Sequence, residues 1–281
     1  MFPDIQTSTM SLRTWRFQQL TLVLTFPLAF GFYPDAKATH LYYSVSQDRI
    51  VPQQFIGQRG VTPPPRSQTN RFASFFSFIL PPKGAPGKRK DATTRDDCPI
   101  ADSSKPLTAL VPPTNIGLTI SERPTFWFYV PYQSARPVEF SLSDDKNNVV
   151  YNTTLQLTGT PGIVSINLPQ SVPPLKRGKN YQWKFSYICH PTVRSKNASV
   201  NGYVERISLD RDLKSQLEQA TTLRERISLY AAKGLWYELL TTLAEERRKN
   251  PQDVELAAAW ENLLRQAEVA LEAIASERIV P

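Results

Sequence analysis

The sequence predicts an α+β chain: an antiparallel β-sandwich followed by a helical segment towards the C-terminus. Three observations carry that expectation. Between Leu107 and Ile207 apolar residues recur with a period of two, in short runs separated by turn signals, the pattern of paired strands that bury one face. From about Asp210 the apolar spacing changes to three and four residues, the spacing of amphipathic helices. The 281 residues include 24 Pro but only 11 Gly, which excludes a collagen-like chain.

Residues 1–38 read as a signal peptide. Arg13 and Arg16 precede an apolar run from Leu20 to Phe30, and Ala36 and Ala38 flank Lys37 in an A-x-A pattern, so cleavage is expected after Ala38. The run is short for a membrane span and Pro27 interrupts it; an uncleaved anchor is the alternative. No later segment reaches span length. Residues 39–105 read as a Pro-rich basic linker, largely irregular, because Pro63-Pro64-Pro65, Pro81-Pro82 and Pro86 break regular elements. Phe72, Phe75, Phe76 and Phe78 are out of place in a solvated linker and point to docking on a folded domain or a partner.

Residues 106–208 carry the strands. Phe126, Phe128 and Val130 share one face, with Trp127 and Tyr129 on the other, so this strand is central or covered. Val138, Phe140 and Leu142 alternate with Glu139, Ser141 and Ser143. A polar turn at residues 144–148 follows, and Val149, Tyr151, Thr153, Leu155 and Leu157 run back. Pro161-Gly162 turns the chain towards Val164, Ile166 and Leu168. Tyr181, Trp183, Phe185, Tyr187 and Cys189 form the cleanest stripe, and Val200, Gly202 and Val204 close the series. About seven such strands suit an immunoglobulin-like or fibronectin-like core.

Residues 209–281 read as a helical tail. Leu213 and Leu217 fit a first helix, and Thr222-x-x-Glu225 is a capping box opening a second, which Gly234 ends. Trp236, Leu239, Leu240, Leu243 and Ala244 line a third. Asn250-Pro251 stops it and opens a fourth, with Asn250 expected as its N-cap and Ala257, Trp260 and Leu264 on its face. Tyr230, Gly234, Trp236, Leu243 and Pro251 fall roughly where a tetratricopeptide repeat places its aromatic, Gly, aromatic, apolar and Pro positions. About one and a half such units cannot bury both faces alone, so packing on the sandwich or on another protein is expected.

Net charge is +8 overall, +10 over residues 39–204 and −3 over residues 205–281. A basic front could meet an anionic polymer or lipid. Its charges are scattered, however, with Lys88-Arg89-Lys90 the single run in that half, and nucleic acid is not expected as a partner of an exported chain.

Several separate strings resemble the family called domain of unknown function 928. They include residues 84–89 (GAPGKR), 94–98 (TRDDC), 107–112 (LTALVP), 124–131 (PTFWFYVP), 158–163 (TGTPGI) and 229–237 (LYAAKGLWY). The resemblance covers about residues 80–275. It implies a periplasmic or secreted protein, mostly cyanobacterial, without an assigned activity. Members are often encoded near extracytoplasmic sensor proteins, which makes a sensor partner one implied role. It supplies no catalytic residues.

Chemistry-bearing residues are few. Cys98 and Cys189 are the only thiols, and in an oxidising compartment such a pair reads first as a disulfide; two independent thiols are the alternative. Closing so long a loop is worth about 4–5 kcal/mol in the chain-entropy model. A metal site built on Cys98, Cys189 and His190 lacks ligand spacing and a fourth ligand. His190 is adjacent to Cys189 and points to the other face of a strand, which argues against a thiol nucleophile. With His40 the only other histidine and no G-x-S-x-G, Ser-His-Asp catalysis is also not expected. Asp96-Asp97, Asp144-Asp145 and Glu245-Glu246 read as turn or solvated-face residues.

These readings predict an exported, non-enzymatic interaction module of the periplasm or cell envelope, with no cofactor and with an envelope protein as partner. Trp236 and Tyr237 are its candidate partner-binding aromatics, Trp236 leaning to the core and Tyr237 to the surface. The alternatives are a carbohydrate-binding module presenting Trp127 and Tyr129, with Tyr132 and Tyr203 behind them, or a polysaccharide-acting enzyme with paired carboxylates roughly 5–10 Å apart.

Overall fold

Large apolar side chains at alternate positions give strands with one face to bury. The computed structural model describes residues 76–91, 98, 100, 102 and 104–280. The expected signal peptide with Ala38, the linker up to residue 75 and the Asp96-Asp97 pair lie outside the described residues.

The fold is α+β, with two sheets followed by four helices. The strands are β1 (Lys90–Asp91), β2 (Leu107–Ala109), β3 (Ile116–Thr119), β4 (Thr125–Val130), β5 (Pro137–Ser143), β6 (Val149–Gln156), β7 (Gly162–Asn167), β8 (Lys179–Tyr187) and β9 (Ala198–Arg206). One sheet has the order β1-β2-β4-β7, the other β3-β9-β8-β5-β6. The β3–β9 pairing is parallel and the other strand pairings are antiparallel. Inner-face aromatics join the sheets. Phe128 of β4 stacks on Phe185 of β8 at 4.2 Å between centroids, and Phe126 lies 4.9 Å from Phe140 of β5. In β5 the buried Val138, Phe140 and Leu142 alternate with half-buried Glu139, Ser141 and Ser143, so this sheet's other face is polar.

The helices are α1 (Arg211–Gln219), α2 (Leu223–Ala232), α3 (Trp236–Lys249) and α4 (Val254–Arg265). Asp210 caps α1, and the Thr222–Glu225 capping box opens α2. The expected Asn250 cap of α4 is corrected. Asn250 ends α3, and Asp253 caps α4 because its carboxylate accepts from the amides of Glu255 and Leu256. Helix α3 packs on β3 and β4, covering the outer side of the four-stranded sheet. Beyond α4 the chain returns to that sheet's far edge, where the Val280 amide donates to the Ile163 carbonyl at 2.9 Å.

Packed structure reaches back to Phe76, well inside the stretch read as linker. Phe76 and Phe78 are buried, and the Phe78 ring meets Trp236 edge-on at 5.0 Å. The Gln266 side chain clamps the segment, accepting from the Phe78 amide and donating to the Phe76 carbonyl. The basic run is equally integrated. Arg89 donates to the Val269 carbonyl, and burial lowers its guanidinium to about 10. Asp91 is fully buried, paired with Lys88 at 2.9 Å and accepting from the Ser199 amide.

Candidate functional site

Trp236 and Tyr237 open α3 and are 0% and 3% exposed. The surface position expected for Tyr237 is therefore corrected. Its ring meets Phe126 at 5.3 Å and its hydroxyl donates to the Tyr203 carbonyl at 3.3 Å. Burial pushes its phenol far above the ordinary range. The cause is Gly117 in β3, where a Cβ would stand 2.7 Å from the Tyr237 ring and 3.1 Å from Trp236. With no side chain there, the first turn of α3 packs close against β3 and β4, and both rings are buried. Trp236 donates its indole N–H to the Leu110 carbonyl at 2.8 Å.

The next residue, Glu238, pins this turn. Its Oε1 accepts from the Thr119 hydroxyl at 2.6 Å and from the amides of Ile120 and Ser121 at 2.9 Å each. Its Oε2 is closed off from solvent and has no hydrogen-bond partner, although the residue as a whole is half-buried. Desolvation raises its pKa, opposed by the three donors.

The aromatic platform expected at Trp127 and Tyr129 is also corrected, since both are buried. Helix α3 lies over Trp127. Trp127 donates its indole N–H to the Thr241 hydroxyl at 3.0 Å, and the Arg248 guanidinium stands 5.4 Å over its ring. Burial pushes the Tyr129 phenol up to about 12. Tyr132 is buried against Tyr187 at 4.1 Å, and Tyr203 is half-buried. Among the described residues these four rings form no exposed row.

Cys98 and Cys189 form a disulfide, with a Cα–Cα distance of 5.4 Å across 91 residues. Both are buried. The bond removes Cys189 as a nucleophile and points to an oxidising, extracytoplasmic compartment. His190 turns its Nδ1 to the Val193 amide at 3.0 Å. The remaining carboxylate pairs hold structure. Asp144 accepts from the side chain and amide of Asn148 and from the Lys146 amide, which lowers its pKa. Asp145 pairs with Lys179, and Glu246 with Lys249, each at 2.8 Å. Among the described residues no group of three His, Cys, Asp or Glu is placed to hold a metal ion, and no helix is long and apolar enough to cross a membrane.

The polar outer face of the five-stranded sheet is open to solvent among the described residues. Glu139 and Ser141 of β5, Asn152 and Thr154 of β6, Lys184 of β8 and Arg194 line a shallow cleft of about 510 Å³. Arg194 reaches over the sheet to Glu139 at 2.7 Å, both solvent-exposed at their side chains, so the pair holds little energy. Lys184 projects beside them and is exposed.

Residues 89–279 match the family described as Domain of Unknown Function (DUF928). The chain belongs to this family. No curated protein matches it.

The DUF928 region therefore spans both sheets and all four helices, with β1 at its start and the C-terminal return to β7 at its end. Sequence reasoning missed two of its features. Glu238 carries no local sequence signal because its partners lie 117 to 119 positions away. The outer cleft carries no sequence signature because its residues are ordinary polar positions of β5, β6 and β8 and an Arg in the connection from β8 to β9. Only the strict alternation in β5 and β8 marked that face in advance.

Proposed function

We propose that this DUF928 protein is an exported, non-enzymatic interaction module of the periplasm or cell envelope. In this reading the two sheets are an immunoglobulin-like sandwich. The helices are a truncated tetratricopeptide-like unit turned inward as a brace. The aromatic contacts between the sheets support the first assignment. The helix–turn–helix pairing of α2 with α3 about Gly234 supports the second.

The observation that carries the functional reading is the contrast between the two sheets. The outer side of one lies under α3. That of the other offers a polar cleft with Lys184 and Arg194 at its rim. The cleft belongs to the half of the sequence with a +10 balance, so its partner is an envelope protein with an acidic docking surface. Cleavage after Ala38 would deliver the chain to that compartment.

Retention of envelope proteins on the immobilised exported protein tests this. A specific protein should be held by the parent at moderate salt, and Lys184→Glu should weaken the retention without lowering thermal stability. Turnover of a glycan or peptide by the pure protein, with nothing specific retained, would overturn the reading.

A further inference from the structure

We propose that the outer edge of β6, which pairs with no strand among the described residues, is a self-pairing site, and that its occupant is the β6 strand of a second copy of this chain. The proposal rests on the outward backbone groups of β6, although the side chains of Asn152 and Thr154 also line the partner cleft on the face of the sheet.

The register fixes which backbone groups face out. The Leu157 amide donates to the Arg136 carbonyl, and the β5–β6 ladder pairs Leu155 with Val138, Thr153 with Phe140 and Tyr151 with Leu142. Hydrogen-bonded pairs alternate along an antiparallel ladder, so these odd-numbered residues spend their N–H and C=O on β5. Asn152, Thr154 and Gln156 point theirs away from it. The other strand edges are short or covered. β1 has two residues, β7 meets the C-terminal return at Ile163, and Glu238 holds the chain leaving β3.

Natural edge strands are guarded by charge, Pro, bulges or short length. The eight residues of β6 include no charged residue and no Pro, and the single register shift sits at the Val149 end, leaving Tyr151–Gln156 regular. The strand is also self-complementary. An antiparallel two-fold through Thr154 sets Thr154 against its own copy and Asn152 against the partner copy's Gln156, twice over. All three outward-facing residues then form hydrogen-bonded pairs, giving about six backbone hydrogen bonds. On the outer face this aligns Thr with Thr and amide with amide, and with no charge in the strand the axis brings no like charges together. On the inner side it covers Leu155, which is 40% exposed in the single chain. An axis through Thr153 would instead oppose Asn152 and Thr154, and its outer rungs would run into the irregular Val149 end.

This pairing has a functional consequence. Residues opposite one another in an antiparallel ladder project to the same side, so the two outer clefts lie on one face of a continuous ten-stranded sheet. The pair would meet a surface bivalently, and two weak contacts would reinforce each other.

Sedimentation of the exported protein across the micromolar to sub-millimolar range tests the proposal, together with hydrogen exchange of residues 150–157. A concentration-dependent dimer is expected, with the amides of Asn152, Thr154 and Gln156 gaining protection as it forms. Thr154→Pro removes an outward N–H at an edge position, where Pro is tolerated. Thr154→Lys places two cations on the axis and keeps the backbone intact, covering the case in which the Pro variant does not fold. Each should weaken dimerisation by about tenfold or more. A parent that stays monomeric, a dimer unchanged by Thr154→Lys, or β6 amides whose protection ignores concentration would each overturn self-pairing. Thr154 also lines the cleft, so retention of an envelope protein is not judged on the Thr154 variants and is read separately with Lys184→Glu.

Discussion

The Trp236 indole donates to the Leu110 carbonyl at 2.8 Å, joining the first turn of α3 to the segment that follows β2 across 126 positions. Both groups are buried. The bond therefore ties the helices to the sheets at the point where the side chain is also wedged against Phe78 and Gly117. Trp236→Ala should cost about 3–5 kcal/mol, from lost burial and the cavity left behind. Trp236→Phe keeps most of the volume and strands the Leu110 carbonyl, so about 1–3 kcal/mol is expected. Urea denaturation of the two variants should give that order. Equal losses would mean that the hydrogen bond contributes nothing.

Tyr237 makes a related but separable case. Its ring fills space that Gly117 leaves open, and its hydroxyl reaches Tyr203 at a long 3.3 Å. Tyr237→Phe should cost about 0.5–1.5 kcal/mol and Tyr237→Ala about 3–5 kcal/mol. Gly117→Ala should destabilise too, since its Cβ would stand 2.7 Å from the ring and the helix would have to back off. A Tyr237→Ala variant with unchanged melting temperature would show that the helix turn is not packed as described.

The disulfide gives a third expectation. Cys98 lies in the chain between β1 and β2, and Cys189 follows β8 in the other sheet, so the bond spans the two sheets. For a 91-residue separation the chain-entropy model gives about 4–5 kcal/mol, an upper value. Reductant, or Cys98→Ser with Cys189→Ser, should lower the melting temperature by roughly 10 °C. The protein should remain folded at ambient temperature, because the aromatic core between the sheets does not depend on the bond. Calorimetry with and without dithiothreitol checks both statements.

What the sequence disclosed and what it concealed divide along the range of the interactions. The β8 stripe was legible because Tyr181, Trp183, Phe185 and Tyr187 are buried by the same period that makes a strand. The Thr222–Glu225 box was legible because both halves of the motif lie within one turn. The α4 cap was misplaced by three residues because Asn250 and Asp253 are both good caps locally, and only the geometry of the turn selects between them. Tyr237 was misread for a different reason. Helical spacing says which residues share a face, but it does not say how deep a helix sinks, and a glycine 120 positions away decides that here. Phe78 and Gln266 meet across 188 positions by a side-chain amide, a pairing that leaves no periodic trace. The β6 edge could be seen as a strand, but its freedom depends on sheet order, which alternation does not encode.

Glu238 gives the last prediction, and its sign follows from its surroundings. The carboxyl is withdrawn from water with Oε2 unpartnered, and desolvation raises its pKa above the ordinary Glu value despite the Thr119, Ile120 and Ser121 donors on Oε1. A raised folded pKa means that the native state holds this proton when the unfolded chain has released it. Stability therefore falls as pH rises from the unfolded Glu value through the raised folded one, and the loss is complete above it. Glu238→Gln keeps an acceptor for the three donors and abolishes the titration. Melting temperatures measured from about pH 4 to about pH 8 should thus show the parent losing ground to the Gln variant as pH increases. Glu238→Ala should be destabilised throughout, because the Ile120 and Ser121 amides lose their acceptor at every pH. If the parent instead gains on the Gln variant with rising pH, the three donors outweigh desolvation, and Glu238 is held as an anion at the head of α3.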